Sequence, residues 1–143
     1  MKNISSTDKR IAEKRVFMLD KNTFESVMDY IEERCRVSGC GEKAIGHITV
    51  ASSEILANID SYAYDNGGPV EISTLCSDRR MTITFSDSGK PFDPLNVKAP
   101  DIHAPLDERE PGGLGIFLVR KLMSRVRYDY IDGQNTLTIE KDL

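Results

Sequence analysis

Three groups of residues have types and spacings that could carry chemistry. Glu54 and Asn58 lie four apart in Ser53-Glu54-Ile55-Leu56-Ala57-Asn58-Ile59-Asp60-Ser61-Tyr62, so on a helix they stack on one face. At ~100° per residue, Ile48, Ala51, Ile55, Ile59 and Tyr62 cluster within about 60° of arc and mark the buried stripe. Glu54 and Asn58 fall roughly 60–100° from its centre. That position directs a carboxylate and a carboxamide into a cleft, or leaves them on a solvated flank. Asp87 closes the alternating series Met81, Ile83, Phe85, so its carboxylate points to the covered face of a strand. An acidic group there needs a partner, because burying an unpaired charge is costly. Gly89 allows the backbone to turn or to approach a ligand closely, although Asp87-Ser88-Gly89 also reads as a bare turn. Gly112-Gly113-Leu114-Gly115 runs straight into Ile116-Phe117-Leu118-Val119. Backbone amides at such a helix entry form an anion site, with a flexible hinge as the alternative. The segment has neither the Lys-Ser/Thr pair of a Walker A loop nor the G-x-G-x-x-G spacing.

The elements that must position these groups follow from periodicity. Lys14 to Asp20 reads as a strand. Asn22 with Glu25 three residues on reads as a capping box that opens a helix with the stripe Phe24, Val27, Met28, Ile31 and Cys35, stopped at Gly39. A second helix is expected from about Glu42 to Tyr64, ended by Asp65-Asn66-Gly67-Gly68-Pro69. Strands Val70 to Ser77 and Arg80 to Asp87 follow, joined through Asp78-Arg79. Five of the six prolines then fall between Pro91 and Pro111. A long loop of this kind inside a compact domain is a lid or a binding loop, here Lys90 to Pro111. Gly115 to Ser124 reads as a third helix, and Val126 to Asp132 and Thr136 to Glu140 as a closing hairpin turning at Gly133. The order predicts an α+β two-layer sandwich, with helices on one face of a mostly antiparallel sheet. Residues 1–143 are expected to form a single domain, with 1–13 as an N-terminal extension.

Composition narrows the class. The 143 residues carry a net charge of −4, with 39% hydrophobic and 29% charged residues, which is globular rather than disordered. That balance lacks the basic footprint of a nucleic-acid binder. No apolar run reaches the roughly 18 residues that span a bilayer, and the N-terminus lacks the apolar core of a signal peptide. Cys35, Cys40 and Cys76 form neither a disulfide framework nor a metal spacing. The expectation is a soluble cytoplasmic domain without nucleic-acid or membrane partners. His47 reads as a surface histidine and His103 as a loop residue without a partner. A sheet face carrying Tyr128 or Tyr130 could serve a homodimer.

The three groups, in this order and at domain-scale spacing, resemble the GHKL ATPase/kinase superfamily with its Bergerat ATP-binding fold. Within it the chain is most similar to bacterial anti-sigma-factor serine/threonine kinases. Glu54-Ile55-Leu56-Ala57-Asn58 resembles the N-box, and Asp87-Ser88-Gly89-Lys90-Pro91-Phe92-Asp93-Pro94 the G1 box with its trailing Pro-Phe-Asp-Pro. Gly112 through Met123 resembles the G2 box. The resemblance implies ATP or ADP and Mg²⁺ as ligands. Asn58 matches the metal ligand, and Mg²⁺ suits one amide plus phosphates and water. Glu54 matches the general base for an attacking hydroxyl. Asp87 matches the acceptor for the adenine amine, and Gly89 the backbone that lies against the base. Gly113, Leu114 and Gly115 match the segment that wraps the phosphates, and Lys90 to Pro111 the ATP lid. Thr138 on the last strand matches a second adenine-side hydroxyl, with Thr136 on the same face.

Two departures stand out. Ser61 occupies a position where the family often has histidine, and Ser124-Arg125-Val126-Arg127 is basic where the family is acidic. The expected function is phosphorylation of a Ser or Thr on a small STAS-domain antagonist, with a sigma factor as alternative partner. A nucleotide-dependent binding module without catalysis is the rival. The catalytic domain of a sensor histidine kinase fits less well, since about 13 residues before the first strand cannot form its helical hairpin.

Overall fold

The computed structural model describes residues 10–96 and 113–143. Among these, five strands form one antiparallel sheet: β1 (Ile11–Leu19), β2 (Gly68–Ser77), β3 (Arg80–Asp87), β4 (Arg125–Ile131) and β5 (Gln134–Asp142). Their spatial order is β1-β2-β3-β5-β4. Helices α1 (Phe24–Val37), α2 (Glu42–Asn58) and α3 (Gly113–Leu122) cover one face. This is the α+β two-layer arrangement expected from the order of the elements. No helix among the described residues is long and apolar enough to cross a membrane.

Alternation in the strands builds the core. Val70 and Ile72 on β2, Met81, Ile83 and Phe85 on β3, and Leu137 and Ile139 on β5 are all buried. They meet Val27 and Ile31 of α1, Ile48, Ile55 and Leu56 of α2, and Val119 of α3 in one cluster. Directly opposed residues of an antiparallel pair share a face. The register Phe85↔Leu137 and Asp87↔Asn135 therefore brings Asn135 to the same side as Asp87. Both hairpin turns use left-handed residue pairs, Asp78-Arg79 (φ 54° and 60°) and Asp132-Gly133 (φ 51° and 78°), the backbone that matches strand twist.

Several expectations are corrected. β1 begins at Ile11 rather than Lys14, so the segment before it is shorter than 1–13. Ala12 to Val16 are exposed on this edge strand, which removes the alternation that marks a strand start. The box that opens α1 involves Asp20 and Thr23, not Asn22. Asp20 Oδ1 accepts the Thr23 amide at 3.0 Å, and Thr23 Oγ1 accepts the Asp20 amide at 3.0 Å. These reciprocal bonds satisfy the orphan donors one turn early. α2 does not continue as α-helix to Tyr64. It ends at Asn58 and widens into a π-helical turn, Ile59–Ala63.

That widening has a tertiary cause. The Ala63 carbonyl accepts the Lys90 amide at 3.2 Å, and the Tyr64 hydroxyl donates to the Pro69 carbonyl at 2.7 Å and accepts the Ser88 amide at 2.9 Å. The last turn is pinned to the end of β3, and π-turns of this kind are frequent at functional sites. At the other end of the molecule, Lys141 Nζ donates to the Leu122 carbonyl at 2.6 Å. A cation there satisfies the C-terminal carbonyls of α3 and anchors the helix whose N-terminus faces α2.

Candidate functional site

Asp87 ends β3 on the covered face and is 4% exposed. Its Oδ1 accepts the Gly89 amide and the Asn135 side-chain amide, each at 2.9 Å. Its Oδ2 has no hydrogen-bond partner among the described residues. Asp87 lines a narrow cleft of about 30 Å³ between α2, the π-turn, β3 and β5. Ile55, Ile59, Phe85 and Leu137 supply apolar walls, and Asn58 and Asp87 are among its polar members. Tyr62 and Phe92 stack beside it with ring centroids 5.0 Å apart. An apolar slot with one free carboxylate oxygen offers an acceptor to the amine of a planar heterocycle that parts its walls.

Asn135 is a site residue that the sequence did not reveal. Its Nδ2 donates to Asp87 Oδ1 and to the Lys90 carbonyl at 2.9 Å. Its Oδ1 accepts the Phe92 amide at 3.0 Å and the Tyr128 hydroxyl. Burial and the nearby Asp87 and Asp93 carboxylates push the Tyr128 phenol up, so it stays protonated and able to donate. Burial likewise raises Tyr64.

Glu54 and Asn58 share one face of α2 and are half-buried. α3 starts at Gly113, with Leu114 and Gly115 in its first turn, beside Glu54. A Cβ placed on Gly115 would lie 2.8 Å from Glu54 Oε2. The structure thus brings the Gly-rich helix entry against the Glu54 carboxylate, while Gly112 lies outside the described residues. Gly115→Ala is expected to leave the fold intact, because the crowded atom is the free end of a flexible side chain. Helix propensity should even favour alanine by up to about 1 kcal/mol. Displacement of the carboxylate should nevertheless lower any turnover that depends on Glu54 by about tenfold. Thermal melts and turnover measured on one preparation check both halves.

Gly89 packs closely on the π-turn. A Cβ there would lie 2.3 Å from the Ala63 carbonyl oxygen and 2.5 Å from the Ala63 Cβ, so the close approach is to the π-turn. Thr138 is not brought into the group. It pairs with Thr84 on the opposite face of the sheet, where the two hydroxyls lie 3.3 Å apart. Leu137 and Ile139 occupy the helix side, so Thr136 and Thr138 must both face away. His47 is also corrected: it is half-buried, and its Nδ1 is buried without a partner. Residues 97–112, which include most of the expected lid and His103, lie outside the described residues.

The Asn58 amide oxygen is a hard donor at the cleft that suits a cation such as Mg²⁺. The described residues contain no cluster of three His, Cys, Asp or Glu that could cage a metal. One amide oxygen at a cleft rim fits Mg²⁺ that arrives with phosphates and water.

The sheet order, the covered face and the cleft between α2, the π-turn, β3 and β5 define a GHKL-type ATPase fold. Residues 17–141 match the model of the histidine kinase-like ATPase domain, and the chain belongs to this family. It is 36% identical over 94 residues to the serine/threonine-protein kinase BtrW of Bordetella bronchiseptica, covering 64% of this chain and 66% of that protein. It is 34% identical over 86 residues to the serine-protein kinase RsbW of Halalkalibacterium halodurans, covering 57% and 53%. It is 29% identical over 105 residues to the anti-sigma F factor of Clostridium acetobutylicum, covering 68% of each. These matches span about half to two thirds of those relatives. A crystal structure of the RsbU and RsbW domains of a Mycobacterium tuberculosis protein superposes with a TM-score of 0.64 at 18% identity, over 92% of this chain and 32% of that one. That likeness bears on the fold.

Proposed function

We propose that the chain is a Mg-ATP-dependent serine/threonine protein kinase of the anti-sigma-factor type. The observation that carries this reading is the buried Asp87 carboxylate. One oxygen is saturated by Gly89 and Asn135, which leaves the other to accept the amine of adenine in an apolar cleft. Asn58 would hold Mg²⁺, whose role when bound is to neutralise charge on the transferring phosphoryl group. Glu54 would take the proton from the attacking hydroxyl. The backbone of Gly113, Leu114 and Gly115 would hold phosphate oxygens at the start of α3. Gly89 would keep the backbone beside the base close to the π-turn. The relatives named as kinases and as an anti-sigma factor support a STAS-domain antagonist as substrate and a sigma factor as alternative partner.

Thermal unfolding with and without Mg-ATP tests the nucleotide site. Ligand at about 100 times Kd should add ~2.7 kcal/mol, a rise on the order of 5–15 °C for a domain of this size. Asp87→Asn should abolish the shift, because an amide can turn its donor toward the base. Asn58→Ala should reduce the Mg²⁺-dependent part. No shift at millimolar nucleotide in the wild type would overturn the reading.

A further inference from the structure

Asn135 is 6% exposed and directly opposes Asp87 across the β3–β5 ladder. Its amide is fully used. One end donates to Asp87 Oδ1 and to the Lys90 carbonyl. The other accepts the Phe92 amide and the Tyr128 hydroxyl. A side-chain amide has two donor hydrogens and two acceptor lone pairs, so every bonding position of Asn135 is committed. Three of its five partners are backbone groups in the chain leaving β3: the Gly89 carbonyl at 3.5 Å, the Lys90 carbonyl and the Phe92 amide. A fourth is the carboxylate that faces the cleft. Asn135 therefore joins the orientation of Asp87 to the path of the chain leaving β3.

We propose that Asn135 is a positioning residue that makes the site selective for a purine bearing a 6-amino group. This rests on the nucleotide reading above and names what enforces its base preference. Asp87 Oδ1 is held by the Gly89 amide and by Asn135, so the carboxylate cannot rotate. Oδ2 then presents a fixed acceptor to the cleft. A 6-amino purine meets it with a donor, whereas a 6-oxo purine meets it with a second acceptor. A site whose polar group is left unpaired rejects the wrong ligand far more strongly than one that can readjust. Without Asn135, the carboxylate keeps only the Gly89 amide and is free to turn away from the 6-oxo group. The cost of the mismatch then falls. The Lys90 carbonyl and Phe92 amide lose their shared partner at the same time, so the loop root that bears Phe92 is no longer tied to β5.

The test measures affinities for ATP and inosine triphosphate, both with Mg²⁺, in the full chain by isothermal titration calorimetry. Wild type should prefer ATP. Asn135→Ala should lower the ATP-to-ITP ratio by about tenfold, mostly by a gain in ITP affinity. Asn135→Asp is nearly isosteric and keeps the acceptors for Phe92 and Tyr128, so it serves even where the alanine variant fails to fold. It places a second carboxyl beside Asp87, and two like charges there favour a shared proton. That proton lies between the two carboxyls and holds Asp87 Oδ1 as the amide does, so this variant should keep the ratio near that of wild type, and a fall as large as that expected for Asn135→Ala would overturn the proposal. A merely structural role for Asn135 would lower both affinities together and leave the ratio unchanged. An unchanged ratio in an Asn135→Ala protein that melts cooperatively would overturn the proposal. A wild type that binds neither nucleotide would overturn the nucleotide reading, and this inference with it. A wild type that binds both equally would overturn this inference and the role of Asp87 as acceptor of the base amine, and would leave nucleotide binding itself standing.

Discussion

Glu54→Gln is expected to lower phosphoryl transfer to a STAS-domain antagonist by about 10²–10⁴-fold, with nucleotide affinity within about twofold of wild type. Glutamine keeps the shape of the side chain but cannot accept a proton. Glu54 contacts the position of Gly115 in the first turn of α3, so its carboxylate sits where backbone amides would hold phosphate. It is not part of the apolar slot around Asp87, which is why base binding should survive. Transfer of label from γ-labelled ATP, paired with calorimetric affinity, separates the two effects. Retained transfer in Glu54→Gln would remove Glu54 from the chemistry. Nucleotide binding without transfer in the wild type would favour the rival reading, a nucleotide-dependent binding module. Ser61, which stands where relatives of this type often carry histidine, is exposed on the π-turn and is not among the residues lining the cleft. That departure leaves the cleft around Asp87 unchanged.

The residues of the site differ in how legible they were. Asp87 was readable because a period-2 series of Met81, Ile83 and Phe85 carries its own phase, and one more step fixes the direction of the carboxylate. Glu54 and Asn58 were readable because four-residue spacing on a helix needs no knowledge of the rest of the chain. Asn135 was not, because its role exists only through a cross-strand register between β3 and β5, 48 residues apart in the chain. The expected start of β5 at Thr136 also left it outside the strand. Thr138 shows the opposite case. The alternation Thr136-Leu137-Thr138-Ile139 already assigned the threonines to the face away from the helices, yet the family likeness suggested the cleft. Local periodicity was the better guide there. The π-turn after Asn58 was hidden for another reason. Its cause lies in partners from β2 and the end of β3, and no residue within the turn announces it. The Asp20–Thr23 box was missed because Asn22 and Glu25 satisfy the same pattern two residues later. Hydrogen-bond geometry at the strand exit chose between two equivalent signatures.

Gly89→Ala is expected to destabilise the ligand-free protein by about 3 kcal/mol, at the upper end of the usual cost of overpacking, and to lower Tm by about 10 °C. Gly89 does not adopt a left-handed backbone, so the cost is steric. The added methyl would meet the Ala63 carbonyl oxygen at 2.3 Å and the Ala63 Cβ at 2.5 Å. Neither is the far end of a flexible side chain, so main chain must move. Movement of the π-turn would strain the bond from the Lys90 amide to the Ala63 carbonyl. Movement of the strand exit would strain the Gly89 amide on Asp87 Oδ1. Either shift disturbs the carboxylate that faces the cleft, so weaker nucleotide binding should accompany the lower Tm. Ala63→Gly in the same chain removes the Cβ contact but leaves the carbonyl contact, and should restore only part of the loss. A Gly89→Ala protein that melts within about 2 °C of wild type would mean that the Ala63 carbonyl retreats at little cost. The need for glycine would then arise only when a base lies against the backbone. A large loss in the absence of nucleotide instead means that the same glycine first serves the joint between the π-turn and β3, on which the position of Asp87 depends.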